Sequence, residues 1–389
     1  MSQAGKRSAV GDYDLLLGGC ISVRLVDATP TDLATVSRQL GSWPRQATDG
    51  DPDIVIRFAD RLPLAPLTYV DPTHAGYTAE GGFVVLTPAG RRMARTFLPF
   101  AQIGHGMRLV CERDNPAVPH LVALVNLVAL SKEVLPLHAS AFVIDQTGVL
   151  VTGWSKGGKT ESLLAAMAEG ASYVGDEWVY LTDDGTMFGL PEPMRVWSWQ
   201  FDQFPQLRTA RPATQRLRLR GWEAAAVVAE AATRTAFPHA ASAVARKAAP
   251  MLRRQTCLRV APGQLFGADK MLPRAHMDAV VLVASHDSPL ITVTAAGSGE
   301  VTRRMAASLT EERAALSSEY HRFRYACPDQ RSWVLEGAAD TERRLLSALF
   351  DRRPAVSVTH PYPCDLRKLG RSVVAAAHEM AARDAEVAR

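Results

Sequence analysis

The clearest chemical pattern in this 389-residue sequence is a glycine-rich octapeptide that matches G-x-x-x-x-G-K-[ST] at every fixed position. Its residues are, in order, Gly153, Trp154, Ser155, Lys156, Gly157, Gly158, Lys159 and Thr160. A loop of this kind turns backbone N–H groups toward phosphate oxygens, and the helix that follows adds the positive end of its dipole. We expect Lys159 to reach the β- and γ-phosphates of ATP and the Thr160 hydroxyl to join the ligands of Mg²⁺. The alternative is a glycine-rich turn that only joins a strand to a helix.

Two adjacent acids, Asp176 and Glu177, follow the octapeptide at the end of the next predicted strand. In a wound α/β sheet the carboxyl ends of the strands converge on one ligand crevice, so this position brings both acids toward the phosphates. One acid can hold Mg²⁺ directly or through water, while the other accepts a proton from an attacking hydroxyl. The alternative is an ordinary turn in which both acids face water.

A third candidate is His138, at the start of the strand that precedes the hairpin into the octapeptide. We expect it to lie beside Asp176 and either orient that carboxylate or raise its basicity. Pairing across a sheet is a hypothesis at this point, because a single histidine also occurs at ordinary surface and core positions.

The stretch 137–177 resembles the core of the HPr kinase/phosphorylase family. Members of that family have a histidine at the start of a strand, a phosphate loop ending in Gly-Lys-Ser/Thr-Glu, a helix closed by glycine, and two acids after the next strand. The matching residues here are His138, Gly158, Lys159, Thr160, Glu161, Gly170, Asp176 and Glu177. The resemblance implies an α/β fold in which an HPr kinase/PEP carboxykinase-like P-loop domain follows an N-terminal mixed α+β domain.

The resemblance also implies a role for each matching residue. Lys159 and Thr160 would contact phosphate and Mg²⁺, within an ATP-binding loop that extends to Glu161. Asp176 would accept the proton of the acceptor, with His138 as its partner. Glu177 would bind the metal, although the family has aspartate at that position.

One signature of the family, of the Glu-Ile-Arg-Gly type, is missing. The nearest segment is 191–195, which lies closer to the octapeptide and has different spacing. There Glu192 is a candidate metal ligand, and Arg195 is a candidate for stabilising charge on the transferred phosphoryl group. Both residues are equally compatible with a simple turn.

These departures indicate a divergent relative and not a true HPr kinase. The resemblance implies an ATP- and Mg²⁺-dependent kinase that transfers the γ-phosphoryl group to a serine-like hydroxyl of a peptide, protein or small metabolite. The alternatives are a regulatory or scaffold protein that binds nucleotide, and an NTPase without a phosphoryl acceptor. The pairing of an acid with a histidine favours the kinase, because a nucleotide sensor does not need it.

Several elements must position these residues. The pattern predicts strands at 141–144 and 149–152, a helix at 160–169 closed by Gly170, and a strand at 172–174. Further predicted elements are a hairpin with strands at 178–181 and 186–188, a buried strand at 279–284, and a C-terminal helix from Asp365. We assign residues 131–389 to the P-loop domain. Residues 1–130, with strands at 54–58 and 83–86 and a helix at 118–133, form the N-terminal domain, whose role is unknown.

Composition narrows the class of protein. Hydrophobic residues make up 47% and charged residues 22%, which excludes a disordered or collagen-like chain. The longest apolar run, 121–130, is too short to span a membrane. The cysteines are scattered and none is spaced as Cys-x-x-Cys, so we expect reduced thiols and a cytoplasmic protein. An oligomer is compatible with this composition.

The charge distribution singles out a basic segment rich in alanine and arginine at about 208–260. It holds eleven basic residues against two acids, and we expect surface helices there, inserted into the P-loop domain. Because it carries no nucleic-acid motif, nucleic acid is an unlikely partner. We hypothesise that the segment helps recruit an anionic acceptor through Arg216, Arg218 and Arg220. A solvated helical face explains the composition equally well.

Overall fold

The computed structural model describes residues 10–44, 46, 50–62, 66–113, 115–204, 207, 212–234, 239–351 and 353–387. Within these residues the chain forms two large mixed β-sheets, a two-stranded ribbon, and helices that pack on both faces of the second sheet. The mixed α/β class expected from the sequence is therefore confirmed. No helix in this part of the chain is long and apolar enough to cross a membrane.

Eight strands form the first sheet. They are β1 Gly11–Leu17, β2 Ile21–Ala28, β3 Ile54–Ala59, β4 Thr68–Asp71, β5 Ala75–Tyr77, β6 Phe83–Ala89, β7 Arg92–Phe97 and β8 Met107–Glu112. Their spatial order is β1-β2-β3-β8-β7-β6-β5-β4, and β3 runs parallel to both of its neighbours. Helix α1 Pro30–Leu40 makes the crossover from β2 to β3, as a parallel pair requires. It begins at a capping box in which Thr29 and Asp32 each accept the other's backbone N–H.

The second sheet contains the strands around the octapeptide. They are β9 Leu135–Ile144, β10 Thr147–Thr152, β11 Ser172–Gly175, β12 Trp178–Leu181, β13 Thr186–Gly189, β16 Ala275–His276, β17 Ala279–His286, β18 Thr292–Ala295 and β19 Ala355–Pro361. Its order is β16-β13-β12-β9-β10-β17-β19-β18, with β11 paired to β9. β10, β17 and β19 run parallel, and every residue of β10 is buried. A separate ribbon pairs β14 Met194–Trp197 with β15 Cys257–Val260.

Helices cover both faces of the second sheet. Besides α1 they are α2 Leu121–Ser131, α3 Lys159–Ala168, α4 Ser198–Gln203, α5 Ala213–Arg234, α6 His239–Arg254, α7 Pro262–Phe266, α8 Ser298–Glu312, α9 Ala314–Ala326, α10 Trp333–Phe350 and α11 Leu366–Val387. Side chains alternate between the faces of a strand, and β10 shows the result. Val149 and Val151 pack in the core with α3 and α11, whereas Leu150 packs in the core with α2, α8 and α10.

The apolar core that contains α2 includes residues of both sheets, among them Leu25 of β2 and Leu137 of β9. All strands of the first sheet precede residue 113, and all strands of the second sheet follow residue 134. The division into domains at residues 1–130 and 131–389 stays a prediction, because one continuous core spans both sheets.

Most predicted elements are present, and the largest differences in extent concern three of them. β9 begins at Leu135, six residues before the predicted strand, because its first half pairs with β12. The predicted helix at 118–133 is shorter, spanning Leu121–Ser131. The basic segment 208–260 forms α5 and α6, but its end is not helical: β15 begins at Cys257 and pairs with β14. Residues 208–211 and 235–238 of this segment lie outside the described residues.

Two glycines allow the strands beneath the acid pair to approach closely. A Cβ on Gly175, at the end of β11, would lie 2.8 Å from the Cα of Gly189 in β13. A Cβ on Gly189 would lie 2.7 Å from the carbonyl oxygen of Val174. Because both neighbours are backbone atoms, neither contact is relieved by turning a side chain. The position of Asp176, directly after Gly175, thus depends on the absence of a Cβ at Gly175 and Gly189.

We expect Gly189→Ala to lower the free energy of unfolding by about 1–3 kcal/mol, the usual cost of inserting a carbon into a packed interior. The matched control is Gly221→Ala in α5, where an added Cβ would meet nothing within 4 Å. This control should gain roughly 0.5–1 kcal/mol, since alanine is the better helix former. Chemical denaturation followed by circular dichroism measures both changes, and equal stability of the two variants would contradict the close approach.

Candidate active site

The glycine-rich octapeptide joins β10 to α3, which is the strand–loop–helix setting that its sequence predicts. Gly153 has φ +154° and Gly158 has φ +110°, values that favour glycine over residues with a Cβ. A Cβ on Gly158 would collide with the ring of His360, which is buried in β19 behind the loop. His360 Nε2 lies 3.0 Å from the carbonyl oxygen of Gly157. The loop is therefore shaped by local glycines and supported from behind by β19.

The two polar residues that begin α3 point in different directions. Lys159 is 6% exposed, and its ammonium donates to the carbonyl oxygens of Gly153 at 3.1 Å and Trp154 at 2.9 Å. Burial lowers the pKa of Lys159, and nearby carboxylates oppose that change. The Thr160 hydroxyl lies 3.1 and 3.2 Å from the two carboxylate oxygens of Asp176. Thr160 therefore joins the loop to the first acid.

Asp176 is held beneath the loop by hydroxyl groups. It is 2% exposed, and Ser140 of β9 donates to it at 2.5 Å, in addition to the contact from Thr160. Burial raises the pKa of Asp176 to about 7, and the adjacent negative charge of Glu177 adds to the increase, while the hydroxyl donors oppose it. This carboxylate is thus buried with two hydroxyl donors and the backbone N–H of Glu177, and it has no cationic hydrogen-bond partner among the described residues.

Glu177 occupies a different environment. It has φ +65°, and its carboxylate lies 3.0 Å from His138 Nε2, while His138 Nδ1 makes a short contact with Glu312 at the end of α8. Burial lowers the pKa of His138, but its hydrogen bonds with Glu177 and Glu312 outweigh burial, so its pKa is raised to about 9. The hydrogen bond with His138 in turn lowers the pKa of Glu177.

This geometry corrects the expected partner of His138, which is Glu177 and not Asp176. His138 and Ser140 are two residues apart in β9, so they lie on the same face but at different positions along the strand, and each meets a different acid. Ser140 contacts the first acid, and the positive φ of Glu177 turns the second acid toward His138. Sequence reasoning missed Ser140 and Glu312. Glu312 is far from His138 in the chain, and no local signal marks it.

Glu192 and Arg195 also lie near the acids, as expected for their segment. Burial raises the pKa of Glu192 to about 8, and the negative charges of Glu177 and Asp176 add to this increase. Glu192 Oε1 is buried and has no hydrogen-bond partner among the described residues. The positive charge of Arg195 helps to lower the pKa of Glu177. The structure thus brings both residues to the site, while their chemical roles stay predictions.

A cleft of about 650 Å³ runs along the loop. The sequence-predicted residues that line it are His138, Ser155, Lys156, Gly158, Lys159, Thr160, Glu161, Glu177 and Arg195. Asp176 does not line it, because it lies behind Thr160. Glu161 faces Gln200, whose amide donates to it at 3.0 Å, and burial raises the pKa of Glu161.

A second cavity of about 400 Å³ adjoins the other side of the loop. Gly153 and Gly157 line it together with Trp154, whose side chain is 53% exposed. Apolar residues of β17, including Val283, form its wall. Such a surface suits a flat, weakly polar ring next to a phosphate loop.

Oxygen atoms dominate the polar groups around Thr160. They come from its own hydroxyl, from Asp176, and from Glu177 and Glu192 nearby. The described residues hold no group of three or more His, Cys, Asp or Glu arranged as a metal site. A few oxygen ligands nevertheless fit Mg²⁺, which keeps several waters and binds through one or two carboxylates together with substrate phosphates.

Comparison with known proteins adds little to this geometry. The chain matches no protein-family model and no curated protein. Among solved structures it is similar to the HPr(Ser) kinase/phosphatase from Coxiella burnetii, with 16% identity over 41% of this chain and 70% of that chain. The TM-score of this match is 0.18, which is too low to support a fold or an activity.

We expect Lys159→Ala to weaken binding of ATP at least about tenfold, because a charge-assisted hydrogen bond contributes roughly 1.5–3 kcal/mol. The matched control is Lys247→Ala, which removes an exposed lysine of α6. Titration with a fluorescent ATP analogue measures both affinities. If the two variants bind the analogue as tightly as the parent, the loop is not a phosphate site.

Proposed function

We propose that this protein is an ATP- and Mg²⁺-dependent kinase that transfers the γ-phosphoryl group to a hydroxyl acceptor. The observation that carries the proposal is the junction of a glycine loop with two acids in unlike environments. Asp176 lies buried against Thr160 of the loop, and Glu177 lines the adjoining cleft together with its hydrogen-bond partner His138. The loop that would hold the phosphates and a positioned carboxylate therefore line the same cleft.

The loop and Lys159 would hold the phosphates of ATP. The backbone N–H groups at the start of α3 are unpaired within the helix, and the dipole of α3 favours negative charge there. Lys159 supplies a buried positive charge, which acts more strongly in a medium of low dielectric constant than it would in water. The exposed ring of Trp154, beside the apolar cavity, provides a surface for the adenine base.

Thr160 and Asp176 would hold the metal, with Glu192 as a further oxygen ligand. Mg²⁺ bound there would supply positive charge against the charge that develops on the phosphates. The sequence alone suggested the metal for Glu177 and the proton for Asp176. The contacts favour the reverse assignment, because Asp176 is buried against Thr160 whereas Glu177 lines the cleft.

Glu177 would orient the acceptor hydroxyl and take its proton. As the acceptor oxygen bonds to the γ-phosphorus, the bond from that phosphorus to the β,γ-bridging oxygen breaks and ADP leaves. His138 fixes the Glu177 carboxylate through one ring nitrogen, and Glu312 fixes His138 through the other. Arg195, which lines the same cleft, would offset charge on the transferred phosphoryl group. Most of the catalysis is then positioning and charge compensation, as phosphoryl transfer requires.

The proposal is tested by incubating the purified chain with γ-labelled ATP and fractionated cell extract, and identifying the labelled component. Transfer of label into a component with a hydroxyl group supports the kinase. ATP hydrolysis without a labelled component would instead indicate an NTPase, and binding without turnover would indicate a nucleotide-binding regulator.

We expect Glu177→Gln to reduce transfer by roughly 10²–10⁴-fold, since its amide cannot accept the proton, and to leave ATP affinity nearly unchanged. Asp176→Asn should instead raise the Mg²⁺ concentration needed for half-maximal rate. Glu169→Gln, an exposed carboxylate at the end of α3, is the matched control. Loss of transfer in Asp176→Asn at every Mg²⁺ concentration, with an active Glu177→Gln, would restore the assignment suggested by the sequence.

A further inference from the structure

A third cavity, of about 190 Å³, lies directly beside the acids. Three arginines from three separate elements line it: Arg38 of α1, Arg195 of β14 and Arg259 of β15. Glu177 and Glu192 also line it. We call this cavity the arginine pocket. It therefore adjoins the carboxylate that would receive the acceptor hydroxyl, and no residue of the octapeptide lines it.

The ribbon places two of these arginines directly opposite each other. Arg195 and Arg259 are direct partners in the β14–β15 register, so their side chains leave the ribbon on the same face. Like charges directly opposite each other destabilise an antiparallel pair. Neither arginine forms an ion pair with a carboxylate among the described residues. The ribbon thus keeps two positive charges together at the pocket, and the nearby carboxylates of Glu177 and Glu192 act on Arg195 without forming an ion pair with it.

The third arginine comes from the first sheet. Arg38 lies in the last turn of α1 and donates to the Thr35 hydroxyl at 2.8 Å. Gly41, directly after α1, packs so closely on the segment before β14 that a Cβ there would lie 2.8 Å from the backbone nitrogen of Glu192. The end of α1 is therefore fixed against the segment that leads into the ribbon.

The other described arginines of the basic segment do not line the arginine pocket. Arg216, Arg218 and Arg220, which the sequence suggested for recruitment of an acceptor, lie on α5 and line neither the cleft nor the arginine pocket. Among the described residues of the basic segment, Arg259 is the one that lines the pocket. The hypothesis that the basic segment helps to recruit the acceptor is thereby restricted to Arg259.

We propose that the arginine pocket binds an anionic group, a carboxylate or a phosphate, which the acceptor carries beside its reactive hydroxyl. This inference rests on the proposed kinase function, and it names the class of acceptor. Planar guanidinium groups bind carboxylate and phosphate oxygens in pairs, which fixes orientation as well as position. Anchored there, the acceptor would present its hydroxyl to Glu177. The first sheet then contributes to acceptor recognition through Arg38.

The experiment titrates the full chain without nucleotide, using succinate as the carboxylate probe and inorganic phosphate as the phosphate probe, by calorimetry at low ionic strength. Arg38→Gln and Arg259→Gln should each weaken binding of the preferred probe about tenfold, the loss that corresponds to one charged contact of about 1.4 kcal/mol. Arg220→Gln, an exposed arginine of α5, is the matched control and should bind like the parent. The probe that binds more tightly identifies the anionic group.

A second variant separates the pocket from the glycine loop, which is also expected to attract phosphate. Lys159→Ala should keep its binding of the preferred probe if the anion occupies the arginine pocket. If Lys159→Ala abolishes binding while the two arginine variants bind like the parent, the anion lies in the loop and the inference is wrong. Failure of the parent to bind either probe would also overturn it.

Thermal unfolding shows whether each variant is folded. Arg259→Gln removes the repulsion across the ribbon, so it should melt at the same temperature as the parent or higher while losing the anion. Because these titrations need no ATP, anion binding that depends on Arg38 and Arg259 would stand even if no phosphoryl transfer were detected. If transfer does occur, an unchanged acceptor KM in both variants would disprove the link to the acceptor.

Discussion

The site depends on one buried carboxylate. Asp176 accepts hydrogen bonds from Ser140 of β9 and Thr160 of α3, and it follows β11, so a single side chain connects three elements around the loop. An unpartnered carboxylate at this depth would be costly, and its two hydroxyl donors reduce that cost without neutralising its charge. The close approach of Gly175 to Gly189 fixes the backbone from which this side chain extends. The next residue, Glu177, has a positive φ, which directs its side chain toward His138.

This arrangement gives two adjacent acids two different environments, which would suit them to two different tasks. A buried acid with hydroxyl neighbours would be suited to share a cation with phosphates bound in the loop. An acid that lines the cleft, and that is fixed by a histidine, is suited to meet a second substrate. The difference arises from backbone conformation, because the positive φ at Glu177 separates the two side chains by more than their sequence spacing suggests. The arginine pocket lies beside this second acid, so under the proposed function the cleft would have a nucleotide end and an acceptor end.

The sequence predicted the features that depend on local physics. The octapeptide, its flanking strand and helix, and the glycine that closes α3 all follow from spacing and glycine conformation within residues 147–170. The sequence did not predict partners that come from distant parts of the chain. Glu312 and Arg38 come from α8 and α1, and only the packing of the two sheets and their helices brings them to the acids. The partner of His138 was predicted wrongly because it depends on strand register and on one positive φ, which side-chain type alone does not specify.

The central claim is that the glycine loop and the buried Asp176 form one nucleotide–metal site. Its most direct test is a crystal structure of the chain with Mn²⁺ and a non-hydrolysable ATP analogue, in which anomalous scattering locates the metal. The account predicts a metal peak roughly 2 Å from the Thr160 hydroxyl and within reach of the Asp176 carboxylate, with the phosphates along residues 153–160. Phosphates bound away from the loop, or a metal that contacts neither residue, would contradict it.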